Sequence, residues 1–404
     1  SAGTGLCVLL VFARSFKARQ SNIGNFWVDI WRMNLYLLLP LSLIASIPLM
    51  WQGVPQNYSH PLVIAQYDSP HLSQVIPQGP IAAQESVKLL GTNGGSYTQS
   101  NSAHPLENPS IWSHYEEMLL MLLLPAMGAF LFSRIYGRLR YGWYIILTMF
   151  LLSTLLSFGA SYYESPLLLG KELRIGMLGT VLWHGITTAT ATGASSGIID
   201  QFQPLTTGFH LFLLNLGELA YGGVGMGIIN LFFLFILSSF ILGLMTGSSP
   251  VFLRNKLPLI VIKLAMVYII FIPSLVLIAL IGYFVCHSDS QTFAIPYQVS
   301  AAWYAFSSWL NNNGSGFSGI SFNSPFMLYL SGFFMLLGRY IPIAIALAVS
   351  GILAKEQVVE SSKSFIDVDS FIFVITSIVV ILIVTLLAFL PLWSLGPLAL
   401  QGFI

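Results

Sequence analysis

The sequence predicts an all-α integral membrane protein assembled from repeated units of span, half-helix and span, with about eight spanning segments. Three observations lead there. Hydrophobic residues make up 55% of the 404 and charged residues only 8%, with a mean hydropathy of +0.79, which is far from the composition of soluble domains. Apolar runs near the length needed to cross a bilayer, about 20 residues, recur around 1–13 (a short one), 33–51, 118–135, 141–160, 209–247, 260–284, 325–353 and 370–391. Two polar cassettes, Gly91-Thr92-Asn93-Gly94-Gly95-Ser96 and Asn311-Asn312-Asn313-Gly314-Ser315-Gly316, each follow an apolar segment too short to cross. Non-helical backbone at membrane depth is tolerated only inside protein or along a water-filled path, because lipid offers no hydrogen-bond partners. The cassettes therefore point to an ion pore.

Alternating the loops across the bilayer orients the chain. Arg14, Lys17, Arg19, Arg32, Arg134, Arg138, Arg140, Arg254, Lys256, Lys263, Lys355 and Lys363 fall on one side, twelve of the sixteen cations, while Lys88, Lys171 and Arg174 fall on the other. The positive-inside rule makes the first side cytoplasmic and the chain multi-pass. The chain opens on Ser1 and an apolar stretch, with no initiator Met and no basic segment of a signal peptide, so an upstream part is expected. Cys7 and Cys286 lie far apart in apolar surroundings and read as structural thiols.

The outer excursions 52–117, 161–208 and 285–324 read as variants of one unit. Ile81 to Leu90 follows Pro80 and makes roughly 15 Å of helix, which can only dip in and return. Gly176 to Thr188 leads into Ala189-Thr190-Ala191-Thr192-Gly193, and Tyr297 to Leu310 leads into Asn311. The order repeats, a frequent feature of transporters. The chain divides into 1–32 (end of one repeat and a loop), 33–140 with cassette 91–95, 141–259 with cassette 189–193, 260–355 with cassette 311–316, and 356–404, a last extra helix. The run 209–247 would reach roughly 58 Å as one helix against a core of about 30 Å. It must break or tilt, and Gly222-Gly223-Val224-Gly225-Met226-Gly227 is the expected place.

Backbone carbonyls converging on one axis can replace the hydration shell of a cation, and glycine lets successive carbonyls turn the same way. Each half-helix would aim the negative end of its dipole at the same point. No charged side chain lies within the cassettes, which suits a monovalent cation better than Ca²⁺ or Mg²⁺ with their carboxylate ligands. Glu218, inside the broken span, reads as functional or as a partner of the amides at the break. Arg339, inside 325–353, reads as an electrostatic barrier below the filter or as a buried partner of Glu218 or of helix-end carbonyls. Glu85 reads as a brace for the cassette backbone, and His104 and Glu107 as parts of a structured outer loop. The glycine run lacks a preceding strand and is no nucleotide loop. No Walker motif, phosphorylation site or soluble domain is visible, so no ATP site, cofactor or nucleic-acid partner is expected. The seven His form no catalytic motif that would favour a membrane-embedded enzyme.

With these residues in view the chain closely resembles the potassium-binding, potassium-translocating subunits (KdpA) of bacterial Kdp-type P-type ATPases, over essentially all 404 residues. The likeness rests on Gly24-Asn25-Phe26-Trp27-Val28-Asp29, Gln52-Gly53-Val54-Pro55-Gln56-Asn57, Leu90-Gly91-Thr92-Asn93-Gly94-Gly95, His104-Pro105-Leu106-Glu107-Asn108-Pro109, Gly217-Glu218-Leu219 with Gly222-Gly223-Val224-Gly225, and Asn311-Asn312-Asn313-Gly314-Ser315. It implies a potassium-channel-like fold, with four repeats around one filter. Thr92, Asn93, Gly94 and Gly95, then Ala191, Thr192 and Gly193, then Asn312, Asn313, Gly314 and Ser315 would supply three quarters of it. A first, Asn/Thr-rich quarter would lie upstream of Ser1. Glu218, Gly222, Gly223, Gly225, Gly227 and Arg339 would form the gate and vestibule beneath. Thr192 stands where a Cys is expected and Ser96 where a third Gly is usual. The implied function is potassium uptake across the bacterial inner membrane, together with an ATP-hydrolysing P-type subunit and small accessory membrane subunits. A stand-alone channel or symporter subunit of the related Trk/Ktr superfamily is the alternative.

Overall fold

The computed structural model describes residues 1–17, 23–65, 73–216, 221–253, 255–286, 294–317, 324–356 and 371–402. Helices dominate: α1 (Ala2–Ser15), α2 (Phe26–Trp51), α3 (Ile81–Leu90), α4 (Ile111–Tyr136), α5 (Leu139–Tyr163), α6 (Gly176–Ala189), α7 (Pro204–Asn215), α8 (Met226–Thr246), α9 (Leu259–Cys286), α10 (Ile295–Leu310), α11 (Pro325–Leu353) and α12 (Phe371–Trp393). Seven of these are long and apolar enough to cross a membrane, and α1 is a shorter apolar helix.

Local chemistry moves several ends from where hydropathy put them. Helix α2 begins at Phe26 rather than near 33 because the Asn25 side chain caps it, accepting from the Trp27 and Val28 N–H groups. It passes through a π-helical stretch, Met33–Leu38. Helix α4 begins at Ile111 rather than 118, fixed by a reciprocal cap between Ser110 and Ser113. The overlong run breaks as required, but earlier than its glycines suggested: α7 stops at Asn215 and α8 starts at Met226. Gly227 therefore lies in the first turn of α8, donating its N–H to the Gly223 carbonyl at 3.1 Å. Two short antiparallel hairpins, β1 (Leu62–Ala65) with β2 (Ser73–Ile76) and β3 (Val251–Phe252) with β4 (Asn255–Lys256), decorate the loops. Hydropathy could not announce them.

Enclosure sorts the helices. Helix α8 is mostly buried, whereas α9 and α2 are mostly exposed, so α8 is central and the other two face outward from the bundle. Around α8 a ring cluster joins Phe12, Phe16, Phe132, Phe232 and Phe252. Lipid tails are as apolar as these rings, so the cluster contributes by close packing rather than by escape from water. At one end of the bundle Arg14, Lys17 and Arg134 border the same recess. There the Tyr136 hydroxyl donates to Leu253 O at 3.3 Å and Asn255 Nδ2 donates to Phe16 O at 3.4 Å, tying α1, α4 and the β3–β4 hairpin together.

Candidate cation filter

Three half-helices stop in the same way. At the end of α3 the Gly91 N–H donates to Val87 O (3.0 Å) and the Asn93 N–H to Lys88 O (2.9 Å), with Thr92 left-handed at φ 47. At the end of α6 the Thr190 N–H donates to Ile186 O (2.9 Å) and the Thr192 N–H to Thr187 O (3.0 Å), with Ala191 at φ 51. At the end of α10 the Asn311 N–H donates to Ser307 O (2.9 Å) and the Asn313 N–H to Ser308 O (2.8 Å), with Asn312 at φ 55. Each is a Schellman-type stop, in which a left-handed residue lets the next N–H reach back five positions. None of the three left-handed residues is glycine, so each carries a small backbone strain that the surroundings must hold.

The caps bring the cassettes side by side. A methyl built on Gly94 would sit 3.1 Å from Thr192 O, and one on Gly193, itself at φ 81, would run into the Asn313 carbonyl. At Gly193 only glycine permits that approach, and at Gly94 a side chain would crowd it. Asn313 Nδ2 donates to Thr187 O at 2.8 Å, so the third cassette also grips the end of α6. The side chains meanwhile turn into the surrounding protein: Thr192 Oγ1 pairs with Thr190 Oγ1 at 2.6 Å, and Ser315 Oγ pairs with Asn313 Oδ1 and with the Tyr304 hydroxyl. Thr192 thus occupies its departure position with its hydroxyl held within its own cassette. What the cassettes present to one another is main chain.

Behind the first of them lies a buried polar cluster. Lys88 Nζ donates to Glu85 Oε1 (2.6 Å) and to Ser102 Oγ (2.5 Å). The fully buried Glu107 carboxylate accepts from Ser96 Oγ (2.7 and 2.9 Å), from the Thr98 N–H and hydroxyl (both 2.7 Å) and from the Ser102 N–H (2.9 Å). Ser96, the other departure, therefore points into this loop. Burial works against the charge on Glu107, but hydrogen bonds from the Glu85 carboxyl, from Ser96 and from Thr98 outweigh it and hold the carboxyl down at about 2.

Beneath the second cassette runs the break between α7 and α8. The Gly222 N–H donates to Ala189 O at 2.8 Å, docking the segment under the last turn of α6. Gly225, at φ 82, presses on the Gly5 carbonyl of α1, and Gly5 presses on Val224 O in return. Glu218 lies outside the described residues, as do Gly217, Leu219 and Ala220.

Three caps of one design thus converge, with Gly94 and Gly193 each against a main-chain carbonyl of the next cassette. The KdpA family, described as the potassium-transporting ATPase A subunit, matches residues 1–401. This chain belongs to the KdpA family. It is similar to proteins named potassium-transporting ATPase potassium-binding subunit from Hydrogenobaculum sp. (37% identical, 98% of this chain and 73% of that one) and Laribacter hongkongensis (36%, 98% and 73%). The relative from Edwardsiella ictaluri has the same name (36%, 99% and 74%).

In this KdpA chain Arg339 borders a cavity of about 70 Å³ below the end of α10, shared with Asn215, Asn230, Asn311, Asn312 and Thr385. Gly338 lets α11 touch the Leu310 carbonyl, and Asn312 Nδ2 donates to Met335 O at 3.3 Å, so the helix bearing Arg339 is latched to the third cassette. Asn311 is buried with Oδ1 unpartnered, and a cavity this size has room for water to reach it. Sequence reading passed over Asn101, Asn215, Asn230 and the role of Asn311. Asparagines inside apolar helices were the available signal for Asn215 and Asn230. Among the described residues no group of three or more His, Cys, Asp or Glu side chains could hold a metal ion.

Proposed function

We propose that this chain is the potassium-binding and translocating membrane subunit of an ATP-driven potassium uptake complex, taking the ion from the outer side at a ring of cassette carbonyls. Residues 33–140, 141–259 and 260–355 act as repeats that each present one cassette. The single observation that carries the reading is the threefold recurrence of one cap, with Thr92, Ala191 and Asn312 in matching left-handed geometry and Gly94 and Gly193 each set against a main-chain carbonyl of the neighbouring cassette. Such a cap points the half-helix dipole and the next main-chain carbonyls at one region, which favours a dehydrating monovalent cation without any charged side chain. The printed names of the relatives, potassium-binding subunits of a potassium-transporting ATPase, agree with it.

ATP hydrolysis then belongs to a separate P-type subunit, and small accessory membrane subunits complete the complex. The chain itself contributes ion choice and a path. The Gly222–Gly225 loop hinders straight descent from the filter, and Arg339 stands as an electrostatic barrier in the vestibule beneath it. Gly94→Asp tests the filter: a carboxylate at the ring is expected to raise half-saturating potassium for ATPase activity of the assembled complex about tenfold, or about 1.4 kcal/mol of binding. Unchanged potassium dependence in a fully assembled complex would sink the filter assignment.

A further inference from the structure

We infer that Asn101 is a positioning residue that locks the first cassette to the second, and that Glu107 anchors the loop presenting it. This rests on the filter reading of the cassettes. Asn101 makes three bonds at once: the Gly95 N–H donates to its Oδ1 at 2.6 Å, its Nδ2 donates to Gly193 O at 3.0 Å, and the Ser195 N–H donates to its carbonyl at 2.7 Å. One residue thus fixes Gly95 in one cassette and both flanks of Ala194 in the other.

The loop that carries it is wound tightly. Gln99, Asn101 and Ser102 are all left-handed, at φ 66, 56 and 77, a conformation each pays for unless its surroundings over-determine it. Glu107 does so from inside, accepting from Ser96, Thr98 and Ser102. Lys88 holds the Ser102 hydroxyl from the half-helix side. The strained turn is therefore rigid, and the Asn101 amide stands at a fixed height between two cassettes.

That placement acts on ion choice. A carbonyl ring discriminates by the number, spacing and field strength of its oxygens. An amide donor on Gly193 O fixes the direction of that oxygen and ties it to the first cassette. Loss of the donor frees the oxygen and lets the cassettes separate, so the ring should bind potassium less tightly and distinguish it less well from rubidium or ammonium. Turnover, set elsewhere, should be spared.

The test uses two variants in the assembled complex. Asn101→Gly removes the side chain while easing the left-handed backbone, so a purely conformational role would survive it. Asn101→Asp keeps an acceptor for the Gly95 N–H but loses the donor to Gly193 O. Both are expected to raise half-saturating potassium for ATPase activity at least about tenfold, to narrow the gap between potassium and rubidium, and to leave the maximal rate within about twofold. Wild-type half-saturation in Asn101→Gly would overturn the inference, as would a fall in complex yield or maximal rate with unaltered ion dependence, which marks a merely structural residue. Gly94→Asp run alongside separates the two readings. If it shifts potassium dependence and the Asn101 variants do not, the lock is wrong and the filter stands; if none shifts it, the filter reading fails with it.

Discussion

Glu107 shows how a buried charge can hold the loop behind an uncharged cassette. It accepts hydrogen bonds from Ser96, Thr98 and Ser102 while fully buried, and its folded carboxyl sits at about 2, below the ordinary glutamate value of about 4.3. A carboxyl depressed on folding contributes stability that is fully present above the unfolded value and is lost as pH falls toward the folded one. Glu107→Gln should therefore be less thermally stable than wild type at pH 7, by about 1–3 kcal/mol for donors left without an ionised acceptor. The gap should close as pH is lowered from about 4.3 toward about 2. Thermal unfolding of the purified protein across that range decides it; a gap independent of pH would mean that the charge is irrelevant and only the shape matters.

At the scale of elements, the half-helices were legible because their signals are local. Pro80 before α3, and a cassette after each apolar stretch too short to span, define them in any context. The break between α7 and α8 was legible as a necessity of length, yet its start at Leu216 was not, because apolar residues hide where tertiary contacts stop a helix. Asn101 was illegible for a different reason: its partners Gly95, Gly193 and Ser195 meet only after two excursions fold together. Gly225 makes the element-level prediction. A methyl there would strike the Gly5 carbonyl, and its φ of 82 is foreign to alanine, so Gly225→Ala should cost about 1–3 kcal/mol in strain and loosen α1 from the break. Gly332→Ala, in α11 with open space around it, should be neutral or slightly stabilising. Matched melting temperatures for the two variants would refute the close contact.

Across the whole molecule, the proposed function lets the positions of the charges divide ion choice from ion passage. The cassettes hold none, whereas Arg339 borders a small, mostly apolar cavity that also meets Asn215, Asn230 and Asn311, on a helix latched to the end of α10 through Gly338 and to the third cassette through the Asn312 amide. On the proposed function, a fixed positive charge there would repel a cation leaving the cassettes and set how fast it moves on, without touching the carbonyls that would choose it. Arg339→Ala should accordingly change the maximal rate of potassium-driven ATPase activity severalfold while half-saturating potassium stays within about twofold, the opposite split to that expected of Asn101→Gly. Uncoupled ATP hydrolysis or downhill rubidium leak in vesicles holding the variant complex would agree with a lost barrier. Wild-type rate and tight coupling in a fully assembled variant would reduce Arg339 to a packing residue of α11.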